Sequence, residues 1–407
     1  KEFEMYTRHE HISVITAILP THCVPNVTSA LQNSGHDIIS WHARGTLQDN
    51  RWYRRFFPTI SPEKEVFRLV VLNSQVDKVI KVIVEQGKLD RNGMGAVYSI
   101  PCQEMHVGGH FHSSWVAMAE KSQQPAPTNN LKERLTLIQC IVEAEISEQI
   151  SRAAISAGAH GPIVYYSEGR GLRDRLGWLR ITKQAEKEVM TVVVDNADAD
   201  NVFKAMALAG KLHLPGRGFM YQMPVEKGLF NLPSQFDAHQ YDANMQQVIS
   251  AIDHLMGDNH WRDQTVFEVS GTGKTAGLQF VKNGLQRNFK DEQVCLTAVT
   301  SRAHSEQIMD MMLDAGAPGL NVSYGQFRST EHSPNHQGVN LVDEYCMVDS
   351  VIDNYFAHEI MTAVKYQTEQ QEIEDLCLYL QAVPQVFTYS HHPMPERRRS
   401  AGERVEA

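Results

Sequence analysis

The sequence predicts an α+β fold built from three tandem β-α-β-β-α-β units. Three observations predict it. A single offset of 123 residues carries Val14 onto Leu137, Gly35 onto Gly158, Glu65 onto Glu188, Gly87 onto Gly210 and Pro101 onto Pro224. Between those landmarks, apolar alternation of period two gives way to helical spacing in the same order in both copies. The order returns a third time after residue 293, where Gly316 to Pro384 spans 68 residues, against 66 from Gly158 to Pro224. A repeat of this kind constrains the fold before any local detail does.

Taken in order, Val14-Ile15-Thr16-Ala17-Ile18-Leu19 predicts the first strand and 24–33 the first helix, stopped at Gly35 by the need for a left-handed residue. Strands follow at 38–41 and 67–72, the latter preceded by Lys64-Glu65-Val66, then a helix at 75–86 and a final strand leading to Pro101. The second unit repeats this with strands at 137–142, 163–166 and 190–194, helices at 146–157 and 199–209, and Lys187-Glu188-Val189 before its third strand. In the third unit the strands fall at 294–299, 321–324, 345–352, 376–380 and 386–389, and the helices at 305–315 and 356–366. This order is that of the ferredoxin-like split βαβ, a four-stranded antiparallel sheet with two helices on one face. The units are bounded at 10–105, 135–230 and 293–392. Pro125-Ala126-Pro127 marks 106–134 as a flexible linker. Residues 231–292 form an insert with an amphipathic helix near 244–256 and a hairpin or strand near 266–281. The tail from 393, with Arg397-Arg398-Arg399, is expected to be disordered.

Composition narrows the function classes. The chain has 407 residues, 42% apolar and 21% charged, and a formal net charge of −10. That balance argues against sequence-independent nucleic-acid binding, which needs a positive surface to release counterions. Six cysteines without a CxxC pair read as reduced core thiols, and hence as a cytoplasmic protein. No apolar run reaches the roughly 18–20 residues that a membrane span needs, so no membrane insertion is expected. The start at Lys1 lacks the charged and apolar regions of a signal peptide.

Two glycine-containing loops carry the chemistry. Gly87-Lys88-Leu89-Asp90-Arg91-Asn92-Gly93-Met94-Gly95 and Gly210-Lys211-Leu212-His213-Leu214-Pro215-Gly216-Arg217-Gly218 join a helix to a strand in the same register, the second continuing into Met223-Pro224-Val225-Glu226. Glycines allow positive φ and bring backbone N–H groups close to an anion. Arginine can hold a phosphate with two parallel bonds. Taken alone, such a loop is also an ordinary tight turn.

In sequence, these loops resemble the B-loop of the PII-type signalling proteins. The stretch from Ala157 through Glu168-Gly169-Arg170-Gly171 resembles that family's approach to its T-loop. The resemblance covers the first two units end to end and the third in outline. It implies a pseudo-trimer: a monomer whose three units pack as the family's separate subunits do. It also implies an adenine nucleotide (ATP, ADP or AMP) in the clefts between units. The implied ligand residues are Arg44, Gly45, Lys88, Arg91, Gly93, Met94 and Gly95 in the first unit, and Gly169, Arg170, Gly171, Lys211, Gly216, Arg217 and Gly218 in the second. The facing wall is expected from the residues after each helix-ending glycine and from Glu65-Val66 or Glu188-Val189. The third unit departs from the pattern. Its loop, Gln367-Thr368-Glu369-Gln370-Gln371-Glu372-Ile373-Glu374-Asp375, has no glycine and four carboxylates, which repel phosphate. At most two working sites are therefore expected.

The family binds partners through its T-loop. Here the loop from Thr46 to Pro62 contains Trp52-Tyr53-Arg54-Arg55-Phe56-Phe57, residue types common at interface hot spots. Packing of these rings on the protein's own insert is an equal alternative. The corresponding loops of the other units are 172–182, with Trp178, and 329–340. Gly271-Thr272-Gly273-Lys274-Thr275 is like a P-loop, but Glu268 stands where that motif needs glycine. His106, His110 and His112 read as solvated linker residues without an acidic partner, and His391-His392 likewise, so no metal is expected. No nucleophile–base pair is recognisable, and no enzyme is expected. The sequence thus points to a nucleotide-sensing regulator of a protein partner, a membrane transporter or an enzyme, the resemblance suggesting transporters for ammonium or inorganic carbon. Alternatives are a structural subunit with degenerate ligand sites, or slow ATP hydrolysis as some family members show.

Overall fold

A computed structural model of the chain describes residues 5–45, 63–91, 94–109, 131–171, 186–231, 289–328 and 342–389. The chain forms a mixed α/β structure with one large antiparallel sheet and, among the described residues, six α-helices. The first segment contains β1 (Tyr6–His9), β2 (Ile12–Pro20), α1 (Val24–Asn33), β3 (Ile38–Gly45), β4 (Glu63–Leu72), α2 (Val76–Gly87), β5 (Gly95–Pro101) and β6 (Glu104–Gly108). The second contains β7 (Leu135–Glu143), α3 (Ser147–Ser156), β8 (Ile163–Gly171), β9 (Glu186–Asp195), α4 (Asn196–Ala209), β10 (Gly218–Val225) and β11 (Lys227–Asn231). The third contains β12 (Phe289–Ser301), α5 (Ser305–Asp314), β13 (Gly319–Arg328), β14 (Val342–Asp353), α6 (Asn354–Gln370) and β15 (Leu376–Thr388).

Within each segment four strands pair in the same order: β3-β4-β2-β5, then β8-β9-β7-β10, then β13-β14-β12-β15. Two kinds of joint link the segments, and both run in a cycle. At the second strands, the end of β3 pairs with the start of β8, the end of β8 with the start of β13, and the end of β13 with the start of β3. At the last strands, β6 of the first segment pads β15 of the third, β11 of the second pads β5 of the first, and the end of β15 pads β10 of the second. The outer strands of each four-stranded set are thereby paired with another segment, and β1 and β11 become the end strands of the whole sheet.

The burial pattern follows from this arrangement. Strand side chains alternate between two faces. In β2, Ile15, Ala17 and Leu19 face α1 and α2, while Ile12, Val14 and Ile18 enter a core common to all three segments. Ile138, Cys140 and Val142 of β7 and Val294, Leu296 and Ala298 of β12 likewise face their own helices, and Leu137, Ile141, Cys295 and Val299 join the common core. With both faces covered, all nine residues of β2 are buried.

Four expectations are corrected. The first residues of the linker that the sequence predicts at 106–134 belong to β6, and His106 is buried, with Nε2 2.8 Å from Glu104 Oε1. A strand held between β15 and the short β1 has no local signature. The two short strands of the third unit are one strand, β15, running through Pro384. That residue faces Glu292, at φ 57, where the ladder skips one pair, so proline's missing N–H is not needed. Helix α6 extends to Gln370, which shortens the third loop and places Glu369 on the helix. The third segment begins at Phe289, inside the stretch set aside as insert. The loops 46–62, 172–182 and 329–340, residues 232–288 of the insert, with Gly271 to Thr275 among them, His110, His112, His391, His392 and the tail lie outside the described residues, while Asn231 belongs to β11.

Candidate functional site

The helix-to-strand loops of the first two segments are built alike. After α2, Lys88 takes the left-handed conformation (φ 53) and Leu89 turns inward, fully buried, its N–H bonded to Val84 O at 3.0 Å. After α4, Lys211 does the same (φ 50) and Leu212 donates to Ala207 O at 3.0 Å. Each loop returns through a glycine that opens the next strand. A Cβ on Gly95 (φ 149) would lie 2.0 Å from Ile18 O, and one on Gly218 (φ 111) 2.1 Å from Ile141 O. The close approach of two backbones explains these two glycines without a ligand. Gly216 has φ 78. Gly93 lies outside the described residues.

Cations line both loops. Lys88, Arg91 and Lys211 are exposed and Arg217 is half-buried. Among the described residues no ion pair engages any of the four. Lys64, buried at the start of β4, donates to Met94 O at 3.4 Å, and burial lowers its pKa from the ordinary lysine value. Each loop is flanked by a strand from another segment: Asn231 of β11 lies opposite Gly95, and Thr388 of β15 opposite Phe219, next to Gly218.

The third loop differs in length and in charge. Glu372 (φ 55) stands in the left-handed place of Lys88 and Lys211, and Ile373 in that of the buried leucines. The strand register puts Leu376, opposite Thr300, where Gly95 and Gly218 stand. Two residues, Glu374 and Asp375, therefore replace the five of Asp90 to Met94 and His213 to Arg217. The Asp375 carboxylate accepts from Ser301 N at 2.9 Å and from the Tyr345 hydroxyl at 3.1 Å, with His304 Nδ1 at 3.8 Å. Tyr345 occupies the register position of Lys64 and Lys187. Burial, then Asp375, raises the Tyr345 pKa well above the usual phenol value. The third loop thus brings its own anion to the start of β14.

The arginines expected at the T-loop bases are engaged elsewhere. Arg44 donates to Glu188 Oε1 at 2.5 Å and to the Tyr166 hydroxyl at 3.1 Å. Burial lowers the Arg44 pKa, but Glu188 and Tyr166 more than offset this and raise it overall. Arg170 grips both oxygens of Glu306, at 2.5 and 2.7 Å, and also bonds Glu168. Arg328 bonds Glu65 at 3.0 Å. These pairs join the first segment to the second, the second to the third and the third to the first. Glu65 and Glu188, expected as a wall, therefore stand at the seams. Glu188 is buried and its Oε2 has no partner among the described residues.

The register also separates two residues that the sequence treats as a pair. Arg44 faces Glu63 and Glu168 faces Glu186, so Arg44 is level with Glu168, two residues before Arg170. Gly45 faces none of the loop cations; it pairs with Ile163 of β8. Gly169 and Gly171 are strand residues paired with Asn321 and Gly319. Sequence reasoning missed Lys64 as a loop contact, although the repeated Lys-Glu-Val before both third strands marked the position. Among the described residues no group of three or more His, Cys, Asp or Glu is placed to hold a metal ion, and no helix is long and apolar enough to cross a membrane.

No family model matches the chain, and no curated protein does. Among solved structures the chain is similar to Arabidopsis thaliana PII bound to citrate, at 22% identity over 23% of this chain and 80% of that one, with a TM-score of 0.19.

Proposed function

We propose that this chain is a PII-like regulatory protein, a covalent pseudo-trimer that binds an adenine nucleotide beside the loops of its first two units and controls a protein partner through its T-loops. The observation that carries the reading is the contrast among the three loops. Two share a left-handed lysine, five intervening residues and cations without carboxylate partners among the described residues. The third is shorter and holds Asp375 against Ser301 N–H and the Tyr345 hydroxyl. A phosphate would meet donors at the first two and a carboxylate at the third. The cyclic joints support the covalent ring: each loop lies between its own unit and a strand of the next. The ligand residues of this reading are Lys88, Arg91, Gly93, Met94 and Gly95 with Lys64 added, and Lys211, Gly216, Arg217 and Gly218. Arg44, Gly45, Gly169, Arg170 and Gly171 shape the seams next to them.

A membrane transporter or an enzyme remains the partner class, engaged through residues 46–62, and the cytoplasm the expected compartment. A structural subunit is the second reading, favoured by one observation: the three seam arginines are already bonded to glutamates. Calorimetry with ATP, ADP, AMP and cyclic AMP separates the two. Binding of one or more, weakened at least about tenfold by Arg217→Ala as expected for loss of about 1.4 kcal/mol, supports regulation. No heat with any of the four leaves the structural reading.

A further inference from the structure

Where the three inner sheet faces meet, the units stop being copies. Register fixes one equivalent position in each: Arg68 faces Thr16 and Ile39, Thr191 faces Gln139 and Ile163, and Asp349 faces Thr297 and Asn321. One position thus holds a cation, a neutral residue and an anion in turn. A second position does not vary: Tyr98, Tyr221 and Tyr379 face Thr16, Gln139 and Thr297. Arg68 and Asp349 line one small cavity together with Thr16, Gln139, Tyr221 and Thr297, with room for about one water (about 10 Å³).

Both charges are held in place by neutral groups. Arg68 donates from Nη1 toward the Tyr379 hydroxyl and Met347 Sδ, each at 3.5 Å, and its guanidinium lies 5.3 Å from the Trp41 ring centroid. Its Nε has no partner among the described residues. Asp349 accepts from Thr297 Oγ1 at 2.6 Å. A lone charge in such an interior is strongly disfavoured. Opposite charges on one cavity offset that cost for each other.

We infer that Arg68 and Asp349 are counter-charges across the common core, and that this pair makes the three units non-interchangeable. A ring then needs one unit of each kind. Three copies of the first unit would place three Arg68 guanidiniums on the inner sheet faces with no counter-charge, and three copies of the third would place three carboxylates there. The covalent chain supplies the required one-to-one-to-one ratio. This holds whether or not the loops bind nucleotide.

A double-mutant cycle on the full chain tests it, read by thermal unfolding of Arg68→Met, Asp349→Asn and the double variant. Asn keeps an acceptor for Thr297, so the Asp349→Asn shift reports charge. Each single variant is expected to melt below the parent, and the double to melt no lower than Arg68→Met alone. Additive shifts, or Asp349→Asn melting with the parent, overturn the inference. Should either single variant fail to fold, recovery of folded protein in the double supports it and continued failure contradicts it.

Discussion

Glycines at similar positions carry different weights in this fold. Gly158 ends the turn after α3 at φ 99 with open space around it, whereas Gly218 sits at φ 111 against the carbonyl of Ile141. Gly158→Ala therefore meets only backbone strain, about 1–3 kcal/mol. Gly218→Ala adds displacement of β7 and is expected to cost more than about 3 kcal/mol. Urea denaturation of the two variants checks the order; an equal loss contradicts the close approach. Both glycines were legible in the sequence as turn residues. Their difference was not, because it depends on a strand about 80 residues away in sequence. Charge behaves similarly. Lys88 and Arg217 were recognisable as loop cations, but nothing local tells that Arg44 and Arg170 are bonded to Glu188 and Glu306.

At the scale of elements, β6 shows both a limit of sequence reading and a test. Helices and central strands announce themselves through period, and α1 spans the residues that its pattern predicts. The padding strands β1, β6 and β11 are four or five residues long and owe their existence to the edges they cover. On β6, His106 Nδ1 lies 3.3 Å from Lys365 Nζ and Nε2 lies 2.8 Å from Glu104. The ammonium can only donate, so the ring is neutral with its proton on Nε2, donated to Glu104. Arg8 and His358 also face Glu104. Burial, opposed by the bond to Glu104 and aided by Lys365, lowers the His106 pKa. A histidine depressed in the folded state binds fewer protons there than when unfolded. Its contribution is complete above the unfolded value of about 6.5 and is lost as pH falls toward the folded one. Melting temperature should therefore fall between about pH 7 and pH 5, and less steeply in His106→Gln. Parallel profiles for the two proteins would refute the role given to this ring.

For the whole molecule, the 123-residue offset made the repetition readable, and the copy count made three units readable. The cyclic joints were not readable, since strand pairing between units leaves no mark on either strand's own pattern. A monomer of 46.0 kDa is expected, because the edges of each four-stranded set are already paired with another segment of the same chain. Light scattering coupled to sizing that returned three times that mass would be incompatible with a covalent ring.

Nucleotide stoichiometry distinguishes the two cationic loops from the acidic third. Titration of the full chain with ATP is predicted to saturate at two per chain, with one of the two sites weakened at least about tenfold in Arg217→Ala. Three per chain would contradict the role given to Asp375, and none would contradict the nucleotide-binding reading itself.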